Sequence, residues 1–137
     1  MSNFTEETLD RIWQKGYKVD GLDPVAYRTD AANALMKRAL YGHEGNLGWE
    51  VDHIYPKEKL KDKGVPENRW DDLVNLRPMN AKNNVAKGQD YPIYSVAVQM
   101  DDGKLRNKDI EGMQKVVNAT LQKKLMENYK QWFGQHC

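Results

Sequence analysis

The sequence has little cysteine and no long apolar run. Its single cysteine, Cys137, is the last residue, so a disulfide within the chain and a zinc site built on several cysteines are both excluded. No stretch is apolar over the roughly 20 residues that a membrane-spanning helix needs. Glu6, Glu7 and Asp10 occupy the region where a secretory signal needs a basic and then an apolar run. These absences predict a cytoplasmic protein without a membrane partner.

Neither sign of charge is in excess. The chain has 21 Lys+Arg against 20 Asp+Glu, a net charge of +1, so total charge predicts no polyanionic partner. A surface that binds nucleic acid would need local segregation of charge. Four tryptophans and seven tyrosines oppose a disordered chain. With 137 residues, we expect a single domain that spans residues 1–137.

Helical patterns flank a central region of strand patterns. The N-terminal extension, residues 1–47, is predicted to hold helices at 5–15 and at 24–40, each with an apolar stripe. Residues 91–137 are predicted to hold a strand at 94–100, a hairpin turn at Asp101-Asp102-Gly103 and a long amphipathic helix at 109–133. The fold class is therefore α+β. The apolar stripe of the last helix is expected to be buried within the monomer, with pairing in a homodimer as the alternative.

Residues 48–90 form the predicted core of the domain, in the order strand, connection, strand, helix. The strands are expected at 49–54 and 73–77, a short helix at about 57–62, and a helix at 80–87 that ends before Gly88. The long connection at 55–71 mixes both signs of charge, which is typical of a solvated segment.

Three polar side chains in this core have types that suit metal-assisted hydrolysis. Asp52 and Asn84 offer a charged and a neutral oxygen, the ligands that Mg²⁺ or Mn²⁺ prefers. His53 has an ordinary pKa near neutrality and could act as a general base. Consecutive strand residues point to opposite faces, so Asp52 and His53 can meet one ion only if the strand ends there. Pro56 follows closely and makes that end plausible.

The segments Gly48-Trp49-Glu50-Val51-Asp52-His53-Ile54, Asn75-Leu76-Arg77-Pro78-Met79 and Asn83-Asn84 with Lys87-Gly88 resemble the HNH nuclease family. The resemblance covers about residues 15–90 and includes the outer segments Tyr27-Arg28-Thr29-Asp30 and Tyr41-Gly42. It implies the ββα-metal (His-Me finger) fold. It departs from the family in the longer connection between His53 and Asn75, and in Asn80, where the subgroup often has histidine.

The resemblance also implies a role for each residue. Asp52 and Asn84 would bind one Mg²⁺ or Mn²⁺, His53 would be the general base, and Asn75 would brace the loop and orient that base. Lys87, Arg77 and Arg28 would contact phosphates. The expected activity is nicking or double-strand cleavage of DNA, although the sequence leaves the choice between DNA and RNA open.

Several alternatives remain beside this interpretation. Asn83 could replace Asn84 as the ligand, and Arg28 with Asp30 could make only structural contacts. The charged run 57–63 could be a loop that contacts DNA. The chain could be an inactive HNH-fold module that binds nucleic acid or protein, or a toxin neutralised by an immunity partner. His43, in a glycine-rich connector, and His136, near the C-terminus, are predicted to be solvated residues.

Overall fold

Helices and strands are mixed along the chain in the computed structural model, which describes residues 4–134. His136 and Cys137 lie outside the described residues. The predicted α+β class is confirmed, with 3-10 turns at Arg38–Leu40, Glu67–Arg69 and Leu73–Asn75 between the longer elements. These elements are α1 (Glu6–Trp13), β1 (Tyr27–Thr29), β2 (Leu35–Lys37), β3 (Trp49–His53), α2 (Lys57–Asp62), β4 (Leu76–Asn80), α3 (Ala81–Lys87), β5 (Ile93–Met100), β6 (Asn107–Val116), α4 (Ala119–Asn128) and α5 (Lys130–Phe133).

The first helix, α1, forms where its sequence pattern predicts. The hydroxyl of Thr5 accepts a hydrogen bond from the backbone N–H of Thr8 and caps the helix. Leu9, Ile12 and Trp13 are buried at the i, i+3, i+4 spacing of one helix face. This face packs on the hairpin formed by β3 and β4.

The predicted helix at 24–40 is wrong, because this segment is the antiparallel hairpin β1–β2. Its turn is held by Asp30, whose Oδ1 accepts hydrogen bonds from the backbone N–H groups of Ala32 and Ala34, each at 2.9 Å. Asn33 adopts φ 69°, in the left-handed region that asparagine tolerates. A side-chain-stabilised turn of this kind competes with a helix for the same backbone groups.

The central segment follows the order strand, connection, strand, helix. β3 and β4 pair antiparallel, with Asp52 opposite Arg77 and His53 opposite Leu76. The second strand begins later than predicted, because Leu73–Asn75 form a 3-10 turn before it. The helix α2 has the predicted bounds. Asn80 caps α3 by accepting a hydrogen bond from Lys82 N at 2.9 Å, so the helix starts one residue after the predicted start.

The predicted helix at 109–133 is wrong in its first part, where β6 pairs with β5. The register shifts between Val96 and Val98, opposite Met113 and Asp109, so β6 carries extra residues and Gly112 adopts φ 70°. Such a bulge disrupts the alternation of a strand. The spacing of Ile110 and Met113 therefore imitates a helix, and the chain turns helical only at Ala119.

Two groups of buried side chains form the core. One lies where α1 meets β3 and β4, and the other joins the end of β3 to β5 and the C-terminal helices. Leu125 and Tyr129 are fully buried in the second group, and Leu121 and Trp132 are partly buried against it, so this part of the C-terminal stripe packs within the monomer. Within residues 4–134, no helix is long and apolar enough to cross a membrane.

Candidate functional site

Three of the predicted site residues line one cleft. Asp52, His53 and Asn84 border a cavity of about 230 Å³ between the end of β3 and the helix α3. Asp52 and His53 both belong to β3, opposite Arg77 and Leu76, and the chain bends only at Ile54. The two side chains therefore still follow the alternation of the strand, and the expected interruption lies one residue further on. The other lining residues are Val51, Pro56, Lys57, Gly88 and Gln89.

Asp52 is buried, 3% exposed, between two cations. Its Oδ2 is 2.9 Å from Arg77 Nε across the hairpin, and its Oδ1 is 3.2 Å from Lys87 Nζ on α3. Burial lowers the pKa of Lys87, and Asp52 opposes that shift. Burial also disfavours the charged form of Arg77, but Asp52 and Tyr94 help to raise its pKa overall. The carboxylate thus joins β3, β4 and α3.

The His53 ring is held by a carboxylate that sequence reasoning did not single out. Its Nε2 lies 2.6 Å from Asp71 Oδ1. Burial lowers the pKa of His53, and the hydrogen bond to Asp71 opposes this shift. Asp71 lies in the connection at 55–71, which was treated as solvated. The available signal was topological: a connection joining the two strands of a hairpin must return to the strand ends, close to His53 and Asn75.

Asn75 ties both ends of the long connection together. Its Oδ1 accepts a hydrogen bond from Tyr55 N at 2.7 Å, and its Nδ2 donates to Tyr55 O at 3.1 Å and to Trp70 O at 3.3 Å. Asn75 is completely buried. The amide therefore fixes the backbone that follows His53, which is the bracing geometry expected for this residue.

Lys87, Arg77 and Arg28, the three predicted phosphate contacts, each bind groups within the fold. Lys87 is 1% exposed, and its Nζ donates to His53 O and Ile54 O at 3.3 and 3.2 Å. Arg77 is 7% exposed and pairs with Asp52. The guanidinium of Arg28 donates to backbone carbonyls, including Pro24 O at 2.9 Å and Gly16 O at 3.0 Å. All three cations serve the fold in this conformation.

Lys57 also borders the cleft. The sequence favoured a solvated helix for the run 57–63, with a loop that contacts DNA as the alternative. Lys57 is the first residue of α2 and lines the same cavity as His53 and Asn84. Its charge also lowers the pKa of His53, in addition to the larger effect of burial. Its position four residues after His53, directly after Pro56, is the signal that could have placed it near the strand end.

The neighbouring asparagines of α3 have separate roles. Asn83 is completely buried, and its Oδ1 accepts hydrogen bonds from Ala97 N and Val98 N at 2.8 and 2.9 Å. Asn83 is therefore committed to joining α3 to β5. The side chain of Asn84 makes no hydrogen bond within residues 4–134 and lines the cleft. Asn84 is the better candidate ligand of the two.

The donor set of the cleft fits a hard divalent cation in kind. Within the described part of the chain, no group of three or more His, Cys, Asp or Glu side chains could hold a metal ion. The available ligands are thus one carboxylate oxygen of Asp52 and the amide oxygen of Asn84, with water for the rest. Each oxygen of Asp52 keeps a lone pair beside its ion pair. The charges of Arg77 and Lys87 oppose a further cation, so binding without a phosphate should be weak.

Comparisons of the chain with protein-family models, with curated proteins and with solved structures give no match.

Proposed function

We propose that this protein is a metal-dependent endonuclease that hydrolyses DNA phosphodiester bonds. The observation that carries the proposal is the shared cleft of Asp52, His53 and Asn84 at the end of β3. A base, a carboxylate and an amide oxygen that border one cleft are the kinds of group needed to hold a divalent cation and to deprotonate a water. The resemblance of these segments to HNH nucleases supports the same activity.

The residues divide the chemistry among them. Asp52 and Asn84 would hold Mg²⁺ or Mn²⁺, which when bound neutralises phosphate oxygens and stabilises the leaving oxygen. His53 takes the proton of the attacking water, and a lowered pKa keeps its ring unprotonated at neutral pH. Asn75 holds the backbone after His53 in place. Lys57, at the rim of the cleft, attracts the substrate phosphate.

The test is nicking of supercoiled plasmid in the presence of Mg²⁺ or Mn²⁺. His53→Ala should reduce the rate by about 10²- to 10⁴-fold, the usual contribution of a general base. His43→Ala is the matched control, because His43 is exposed in the connector before β3. Circular dichroism would establish that both variants are folded. Equal rates for wild type and a folded His53→Ala variant would contradict the proposal.

The substrate is proposed to be DNA bound mainly through its phosphates, in the cytoplasm. Binding of that kind weakens steeply with salt. Cleavage of labelled DNA and RNA duplexes of the same sequence, measured between about 50 and 200 mM salt, would compare the two substrates. Preferential cleavage of RNA would change the substrate class and leave the role of His53 intact.

A second candidate function is an inactive HNH-fold module that binds nucleic acid or protein. The ion pairs of Asp52 with Arg77 and Lys87 favour it, because they satisfy the carboxylate without any metal. Titration of Mn²⁺ into the protein with a non-cleavable DNA duplex separates the two functions. Metal binding that is lost in Asn84→Ala supports the nuclease, and unchanged binding of DNA without metal supports the module. Neutralisation by an immunity partner stays a prediction.

A further inference from the structure

A carboxylate outside the predicted site is hydrogen-bonded to the ring of His53. Asp71 lies 18 residues further along the chain, between α2 and β4, and its Oδ1 is 2.6 Å from His53 Nε2. The side chain of His53 is 13% exposed and that of Asp71 is 44% exposed. The imidazole is therefore enclosed, and the carboxylate reaches it from the solvent side.

The bond to Asp71 selects one tautomer of the ring. An ionised carboxylate can only accept hydrogen bonds, so the proton of the neutral imidazole must be on Nε2. Nδ1 is then the nitrogen with a free lone pair. In the other tautomer, two acceptors would face each other at 2.6 Å, which is unfavourable.

The adjacent carboxylate, Asp72, has a different role. Its Oδ2 accepts hydrogen bonds from Arg69 Nε at 2.6 Å and from Asn128 Nδ2 at 3.0 Å. These contacts join the connection to α4, away from the imidazole. The two consecutive aspartates therefore provide a matched pair for mutagenesis. Asp71 is hydrogen-bonded to His53, whereas Asp72 is hydrogen-bonded to Arg69 and Asn128.

We propose that Asp71 is a positioning residue that holds His53 in the Nε2–H tautomer and orients Nδ1 to accept a proton from water. Asp71 accepts a hydrogen bond from the His53 ring and is not proposed to contact the substrate, so it acts through His53. The inference rests on the proposed function for the identity of the proton donor. The assignment of the tautomer stands independently of that function.

The tautomer is measured directly by long-range ¹H–¹⁵N correlation spectra of the histidine rings at about pH 8, where an unperturbed histidine is neutral. Wild type should show His53 with its proton on Nε2. Asp71→Asn can present either its amide oxygen or its amide N–H to the ring and should therefore admit a fraction of the Nδ1–H form. Asp71→Glu should retain the wild-type tautomer, and so should the control Asp72→Asn. A wild-type His53 ring with its proton on Nδ1 would overturn the proposal.

Plasmid nicking then tests the consequence for the reaction. Asp71→Asn should lower kcat by about 10- to 100-fold, the usual effect of losing an orienting partner, with KM unchanged. Asp71→Glu should recover most of that loss, and Asp72→Asn should keep the wild-type kcat. A change in KM alone would contradict a positioning role. If wild type cuts no DNA, the proposed function fails, while the tautomer comparison still decides whether Asp71 holds the ring.

Discussion

Replacing Asn75 by alanine should detach the long connection from the end of β3. The substitution removes the acceptor of the buried Tyr55 N–H and the donor to two carbonyls, Tyr55 O and Trp70 O. A buried donor left without a partner costs about 1–3 kcal/mol, and each ordinary hydrogen bond contributes about 0.5–1.5 kcal/mol. Because the carbonyls can partly recover through relaxation or water, we expect a total loss of about 2–4 kcal/mol in the free energy of unfolding.

Urea denaturation followed by circular dichroism measures this loss. The matched control is Asn84→Ala, whose side chain makes no hydrogen bond within the described residues and which should change the free energy by less than about 0.5 kcal/mol. Hydrogen exchange gives a local measurement, because the Tyr55 amide should lose its protection in Asn75→Ala. A folded Asn75→Ala protein with an unchanged urea midpoint and a protected Tyr55 amide would refute the reasoning.

Three further predictions use other features of the molecule. Lys87→Met removes the buried donor to two carbonyls and one carboxylate and should lower the free energy of unfolding by about 3 kcal/mol in urea denaturation. The control Lys82→Met, at an exposed position of the same helix, should change it very little, and equal effects would contradict the structural role of Lys87. Gly48→Ala would place a Cβ 1.9 Å from a backbone carbonyl oxygen, whereas a Cβ at Gly45 meets nothing within 4 Å, so thermal denaturation should show a loss of about 3 kcal/mol for the first variant only. Folding lowers the pKa of His53 from 6.5, chiefly through burial, so the unfolded chain binds more protons than the folded one as the pH falls below 6.5. The contribution of His53 to stability is therefore complete above pH 6.5 and should decrease as the pH falls. Urea midpoints measured from pH 8 to 5 should decline less in His53→Gln than in wild type, and parallel curves would contradict this coupling.

The elements predicted well are those in which local signals agree with one another. α1 has a capping threonine, acidic residues in its first turn and apolar residues at helical spacing. α2 is confined between Pro56 and Gly64, which limits a short helix from both sides. In both segments the residue types at the ends and the pattern in between indicate the same structure. Local sequence was therefore sufficient to predict these two helices without knowledge of tertiary contacts.

The two wrong helices fail because side-chain contacts distant in sequence decide their conformation. Asp30 is buried, and its second oxygen accepts hydrogen bonds from Asn80 N and Asn83 Nδ2 at 3.1 and 3.2 Å. These partners follow Asp30 by about 50 residues, so the pattern within 24–40 alone could not predict the turn between β1 and β2. In β6, the bulge near Gly112 produced helical spacing in a strand.

One part of the candidate site could be predicted from the sequence and another part could not. The order strand, connection, strand, helix was sufficient to bring the segments of Asp52, His53 and Asn84 together, and the three residues line one cleft. The partners of Asp52 could not be predicted, since the burial of Arg77 and Lys87 depends on how α3 and β5 cover the hairpin. A lysine on a helix reads as exposed unless its tertiary neighbours are known.

The ion pairs of Asp52 have a consequence for mutagenesis of this cleft. Asp52 connects β3 with β4 and α3 through Arg77 and Lys87, so its replacement leaves two buried cations without their carboxylate, in addition to removing a proposed ligand. Loss of cleavage in an Asp52 variant would therefore combine a defect in folding with a defect in the proposed ion binding. The Asn84 side chain lines the same cleft and makes no hydrogen bond within the described residues, so its variants test the proposed ion site without that defect in folding.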